Sequence, residues 1–439
     1  MKKMESIWNN RINIIIAVAA LMVLFFSGCK KDDLFVPVYD QGSGIAEDPW
    51  LISNAEQLDS IRNNPGACYR LIADIDLVDY LADTSWVPIG DESNNFHGVL
   101  DGNGHTITGL TLSVVKTQSH AIIAFFRCTG EDAVIKNIFL DDVSIQGSGS
   151  GLDLSAALAG INKGEIRDCS VKITTEGYMN YLGGLVGINE GTIAYCHVDI
   201  DMKYWTHAVG GLAYKNEGNI HGCYASGKIA SEKEFSAGGM VCFNIGTIRD
   251  SHSSVDITSV NQTMGNVGGF AGAQFISGGY IRESYSTGKV EVTISRTIFY
   301  PFHDELVVGG FVGGHYGGKT GDIENSYTTV DVSVSIVDGD IQGARIATGG
   351  FSGGGSNLTN CYAAGKVTGI NTGGLVGADM DADVTSSYYD SEVTGQNDTG
   401  NGSPKTTMEM MQQATFEGWD FTSLWAIDEG ASYPYLRWQ

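Results

Sequence analysis

Cys196, Val198, Ile200 and Met202 fall on one side of an alternating run, with His197, Asp199 and Asp201 on the other. The same period of two governs Cys169, Val171 and Ile173, then Ser284, Ser286, Gly288, Val290 and Val292, then Ser326, Thr328, Val330, Val332 and Val334. Positions two apart share one face of an extended chain, so each run predicts a strand with one buried face. Ahead of the 196 run stands Gly183-Gly184-Leu185-Val186-Gly187-Ile188-Asn189-Glu190-Gly191-Thr192-Ile193. Its Gly-Gly opening returns at 210–211, 238–239, 268–269, 309–310, 349–350 and 373–374, and a degenerate copy runs from Ala157 to Asn162. The Gly-Gly-Leu-Val run is expected to be a second strand and Gly191-Thr192-Ile193 the start of a third. Asn189, Asn216 and Asn244 are expected in turns that need positive φ.

Successive second glycines are 27, 28, 30, 41, 40 and 24 residues apart from Gly184 to Gly374. A recurring unit of this kind means a repeat architecture. A length in the high twenties fits one coil of three short strands. The expected fold is all-β, a parallel β-solenoid of about eight coils with small helical and aromatic caps at both ends. Each coil has an apolar face that only its neighbours can cover, so stacking makes one continuous core. Helical repeats would need a 3.6 period and few glycines, and neither is present.

The ends read as caps. Ser53 and Glu56 suit a capping box opening a short helix with Leu58 and Ile61 inward, and Thr406 and Glu409 suit another near the C-terminus. A polar Gly/Asn/Thr loop covers 391–403, and the aromatics from Trp419 to Trp438 suit a plug for the last coil. The expected organisation is a signal segment at 1–28, a lipidated cysteine and tether at 29–43, a cap with first coils at 44–112, the solenoid at 113–390 and a C-terminal cap at 391–439.

Composition adds the compartment. Lys2, Lys3 and Arg11 precede an apolar run from Ile14 to Phe26, and Phe26-Ser27-Gly28-Cys29 has the form of a lipobox. Cys29 is therefore the expected lipidation site, anchoring the chain to the outer membrane. The acidic stretch after it resembles an export tag for the outer face. The net charge is −25, moving to −27 without residues 1–28, which argues against nucleic acid as a partner. Cys169, Cys196, Cys223 and Cys361 share one repeat slot with Ser251, Ser284, Ser326 and Ser387. Cysteine alternating with serine points to a ladder of small side chains and not to a disulfide framework.

The 183–193 pattern resembles the GLUG motif. Asp48-Pro49-Trp50, Trp86-Val87-Pro88-Ile89-Gly90 and Asp101-Gly102-Asn103-Gly104 resemble the segment that usually precedes it. The resemblance implies the solenoid fold and a bacterial surface or adhesin-like role. Such repeats also occur beside the catalytic domain of immunoglobulin A metallopeptidases. That activity needs His-Glu-x-x-His, and no histidine here precedes a glutamate.

Several residues are candidates for chemistry. His197, Tyr224, His252, Tyr285, Tyr327, Tyr362 and Tyr388 follow the Cys/Ser slot and should form an outward column, either a stacking platform or a structural ladder. Loop aromatics Tyr178, Tyr181, Tyr204, Trp205 and His207, with Phe299, Tyr300, Phe302 and His303 in a long insertion, are the ligand-binding candidates. Asp379, Asp381, Asp383 and Asp390 match positions 1, 3, 5 and 12 of a calcium loop, with Val384 where glycine is required. Calcium is the one cofactor the sequence raises. Arg167, Arg249 and Arg282 precede Asp168, Asp250 and Glu283, a pattern of corner ion pairs. The expected function is non-enzymatic capture of a glycan or a surface protein. The alternatives are a polysaccharide lyase or glycosidase, and a structural subunit of a surface assembly.

Overall fold

Four strands, not three, make one coil. Tyr181–Gly183, Val186–Asn189, Thr192–Ala194 and His197–Met202 are followed by Ala208–Gly210, Ala213–Asn216, Asn219–His221 and Tyr224–Ser231. Each strand pairs in parallel with its counterpart, as in Leu182↔Val209, Val186↔Ala213, Ile193↔Ile220 and Val198↔Ala225. The Gly-Gly-Leu-Val run is thus a corner between two strands. The chain turns at Gly184-Leu185, where Leu185 drops into the core.

The structure, a computed structural model, describes residues 39, 41–113, 121–147, 153–203, 207–232, 236–260, 264–275, 279–294, 305–316, 321–337, 345–378, 380, 382–399 and 401–439. Among them, strands build parallel sheets of 12, 16, 9 and 7 members. The 12-stranded sheet runs from Trp50–Ile52 to Asp383–Thr385. The stack therefore extends beyond the eight Gly-Gly copies, because residues 50–136 supply rungs without that motif.

The interior is filled by columns. The residue after Gly-Gly is Leu185, Leu212, Met240, Phe270, Phe311, Phe351 or Leu375, each fully buried. Phe270, Phe311 and Phe351 stack at 4.6 and 4.7 Å between ring centroids. The Cys/Ser slot is a second column. Each side chain donates to the carbonyl two residues back, as in Ser251 to Arg249 at 2.7 Å and Cys196 to Ala194 at 3.2 Å. Each also accepts from the backbone N–H of the preceding coil's slot, as in Cys223 N–H to Ser251 Oγ at 3.2 Å. Either a thiol or a hydroxyl fills that role, which is why both occur. All seven described cysteines are free, and burial pushes the Cys169 and Cys196 thiols well up.

Asn189, Asn216 and Asn244 do not sit at positive φ. They end strands and form a buried amide ladder. Asn162 Nδ2 donates to Asn189 Oδ1 at 2.8 Å, Asn189 to Asn216 at 2.8 Å, and Asn216 to Asn244 at 2.9 Å. The left-handed positions lie one residue before the Cys/Ser slot. Asp168, Tyr195, Asp250, Glu283, Asn325, Asn360 and Ser386 hold φ between 45° and 55°. This corner turns the chain from the 12-stranded to the 16-stranded sheet.

The caps differ from expectation in three ways. The first helix, Ala55–Asp59, is capped by Asn54, whose side chain accepts from Gln57 N–H at 2.9 Å. The Gln57 side chain accepts from Ser53 N–H at 2.8 Å, so the cap is Asn54 and the residue reaching back is Gln57, not the expected Ser53 and Glu56. Gln57 prevails because it is buried and needs both partners. At the far end, the polar loop seals the last coil. Gly374 N–H donates to Asp398 Oδ1 at 2.7 Å, Tyr389 OH to the Asp398 carbonyl at 2.6 Å, and Asn401 Nδ2 to the Met380 carbonyl at 3.1 Å. An open strand end presents unpaired polar groups, which side-chain amides and carboxylates satisfy better than indoles. The C-terminal aromatics go elsewhere. They lie along the flank of the 16-stranded sheet and form a second core there. The Thr406–Glu409 box stands as expected, with Glu409 N–H donating to Thr406 Oγ1 at 3.2 Å.

Candidate functional site

The outer face of the 16-stranded sheet carries the aromatic column. Alternation that turns Cys196, Val198 and Ile200 inward turns His197 outward, and register repeats the choice on every rung. His197 and Tyr224 stack at 3.7 Å, Tyr224 and His252 at 5.1 Å, and His252 and Tyr285 at 4.7 Å. Tyr285 and Tyr327 follow at 5.0 Å and Tyr327 and Tyr362 at 4.9 Å, and none of these ring planes tilts by more than 16°. Ring faces are thus spent on neighbouring rungs, which favours the structural-ladder reading for the interior of the column.

The C-terminal segment covers the later half of this column. Tyr327 and Tyr362 are 7% and 1% exposed beneath Trp425, and Tyr362 also meets Phe416 and Trp419. Polar contacts pin the cover. Tyr362 OH donates to the Pro434 carbonyl at 2.7 Å, Tyr433 OH to Asp390 Oδ2 at 2.8 Å, and Gln439 Nε2 to Tyr327 OH at 2.6 Å. Trp438 marks the edge, 5.7 Å from Tyr285 and 6.2 Å from His252, with its Nε1–H on the Glu283 carbonyl at 3.1 Å. Beyond that edge Tyr224 is 39% exposed. The open end of the column, at Tyr224 and His197, is left beyond the edge that Trp438 sets over Tyr285 and His252.

Burial pushes His252 down to about 4, helped by His197, and lowers His197 and His221 as well. A neutral imidazole suits a stacked ring. The folded chain resists protonation while the unfolded chain accepts protons below the ordinary value of 6.5. Stability held above that value is therefore lost as pH falls toward 4. Thermal unfolding should show a midpoint that drops from pH 7.5 to pH 4.5, and His252→Phe should flatten part of that drop.

Of the loop candidates, Tyr178 and His207 come together from adjacent coils, edge to face at 5.8 Å, and Tyr178 OH donates to Asn180 Oδ1 at 3.0 Å. Tyr181 lies apart, against Tyr214 at 4.7 Å, and Tyr214 reaches Phe243 at 5.6 Å. Tyr204, Trp205, Phe299, Tyr300, Phe302, His303 and Cys29 lie outside the described residues. A corner pair that the repeat offset does not single out is Tyr195 and His221, edge to face at 5.1 Å.

Asp383–Thr385 and Tyr388–Asp390 are the strands of a last rung. Asp390 is buried and caps Ser391–Thr394, accepting from Glu392 and Val393 N–H at 2.9 Å each and from Tyr433 OH. Asp379 and Asp381 lie outside the described residues.

At the corners Arg167 pairs with Asp168 at 2.8 Å, and Arg249 pairs with Asp250. Burial, then the neighbouring Asp250 carboxylate, raises the Glu283 carboxyl, opposed by Arg282 and Arg249.

Residues 305–333 match the GLUG motif. One GLUG motif therefore lies in this stretch. A protein of Evansella cellulosilytica, provisionally named a Gly-rich membrane protein, is 34% identical over 415 residues, covering 91% of this chain and 45% of the relative. Halomucin of Haloquadratum walsbyi is 30% identical over 168 residues, covering 36% of this chain and 2% of halomucin. The chain thus spans less than half the length of these relatives. A solved Bacteroides ovatus structure, provisionally described as an immunoglobulin A1 protease, aligns with a TM-score of 0.47 at 17% identity, over 91% of this chain and 96% of that one.

Proposed function

We propose that this GLUG chain is the non-enzymatic binding body of a lipid-anchored protein on the outer membrane, holding a glycan or a surface protein against its flank. The observation that carries this reading is the aromatic column left open beside the C-terminal cover, on a long face with many shallow contacts. Shallow contacts repeated along a rigid rod add through multivalency. The lipobox at Cys29 and the membrane-protein name of the Evansella relative support display at a membrane. The paired Tyr178 and His207 offer a second contact region.

One incubation tests both halves of the reading. The purified chain is run through gels containing a panel of polysaccharides, and reducing ends are assayed in parallel with and without calcium. The expected result is retarded migration on at least one polysaccharide with no reducing ends released. Release of reducing ends in either condition would make the chain a carbohydrate-active enzyme.

A further inference from the structure

The outward column has one empty rung. In-register pairing carries the His197 position back to Ser170 and then to Phe139. Phe139 is 39% exposed and Ser170 is partly exposed. Rungs stand about 4.8 Å apart, so two rungs separate Phe139 from His197 by about 9.6 Å. One face of His197 is taken by Tyr224 at 3.7 Å, while its other neighbour on the column is a serine with no ring to offer. Its Nε2 is held by Ser226 Oγ at 3.1 Å, which fixes the ring in place.

We propose that this rung receives an uncharged pyranose ring of a neutral polysaccharide, sandwiched between Phe139 and His197 over the Ser170 hydroxyl. Ring centroids about 4.8 Å from each aromatic neighbour lie within ordinary stacking range. The groups beside the slot favour a hydroxylated ring over an aromatic side chain. Lys172 and Asp199 are paired in register on one side, and the Arg167–Asp168 ion pair stands at the corner on the other. Arg167 also pairs with Glu165 at 3.2 Å, and Asp141 lies two residues on from Phe139, so carboxylates outnumber cations around the slot, which disfavours acidic sugars.

This inference rests on the glycan half of the proposed function. The test uses a neutral oligosaccharide array, then titration calorimetry with the tightest hexasaccharide. Four chains are compared, the unaltered protein, Ser170→Tyr, Phe139→Ala and Tyr178→Ala, and each is also titrated with tryptophan-bearing peptides. Ser170→Tyr fills the rung with the residue the column already uses, so it should fold with an unchanged or higher thermal midpoint. The expected result is binding by the unaltered chain that weakens at least tenfold in both variants. Binding that survives Ser170→Tyr but falls in Tyr178→Ala overturns the slot and leaves glycan capture standing. No binding to any member of the array overturns both. Capture of tryptophan-bearing peptides, lost in Ser170→Tyr, overturns the sugar assignment in favour of a protein ring.

Discussion

Replacing Gly211 with alanine is expected to destabilise the solenoid by about 3 kcal/mol or more. A Cβ on Gly211 would stand 2.0 Å from the Gly239 carbonyl oxygen of the next coil and 3.1 Å from Ala225 Cβ. The obstacle is backbone, so relief requires the two coils to part. Parting them strains the Leu212 N–H to Met240 carbonyl bond at 2.8 Å and lifts the buried Leu212. Gly104→Ala is the matched comparison. There φ is +80° and nothing lies within 4 Å of the new atom, so only left-handed strain of about 1–2 kcal/mol applies. Urea unfolding followed by circular dichroism should show a much lower midpoint for Gly211→Ala than for Gly104→Ala. Similar midpoints would mean that coil-on-coil approach at the corner is not what the repeated glycine secures.

Asn216→Leu should cost about 2–4 kcal/mol by the same measurement. The change removes the acceptor for Asn189 Nδ2 and the donor for Asn244 Oδ1, and it frees the Gly218 carbonyl, which Nδ2 reaches at 3.4 Å. These groups are buried, so water does not replace the lost bonds. Asn219→Ala, three residues on and exposed, should stay within about 0.5 kcal/mol of the unaltered chain. Equal effects at 216 and 219 would show that the amide ladder contributes nothing beyond packing.

The all-β stacked architecture was legible because two signals agreed. Period two in runs such as Val198, Ile200 and Met202 set the faces, and the returning Gly-Gly set the unit. Burial on the 196 run follows that alternation. The number of strands per coil was not legible. A strand of three residues, such as Tyr181–Gly183, is too short to show a period, so the corner at Gly184 hid inside an apolar run. The Asn ladder was misread for a related reason: asparagine beside glycine is also the signature of a turn, and only coil-to-coil register distinguishes them. Tail placement depended on contacts far apart in sequence. Nothing local assigns Trp438 to Glu283, or assigns the polar loop and not the aromatics to the end of the stack.

The candidate site was half legible. The offset after the Cys/Ser slot found His197 through Tyr388, and carrying it two repeats further back would have reached Ser170 and Phe139. The slot there holds Ile138 instead of Cys or Ser, which broke the visible pattern. Which rings stay open could not be read at all, because the contacts that set the cover span 72 to 155 positions.

Tyrosine modification of the folded chain, read by mass spectrometry, tests most directly the claim that one flank carries a column covered at one end and open at the other. Tetranitromethane should modify Tyr195 and Tyr224 readily and leave Tyr327 and Tyr362 unmodified. Equal modification of all four, or protection of Tyr224 with Tyr362 exposed, would contradict the account.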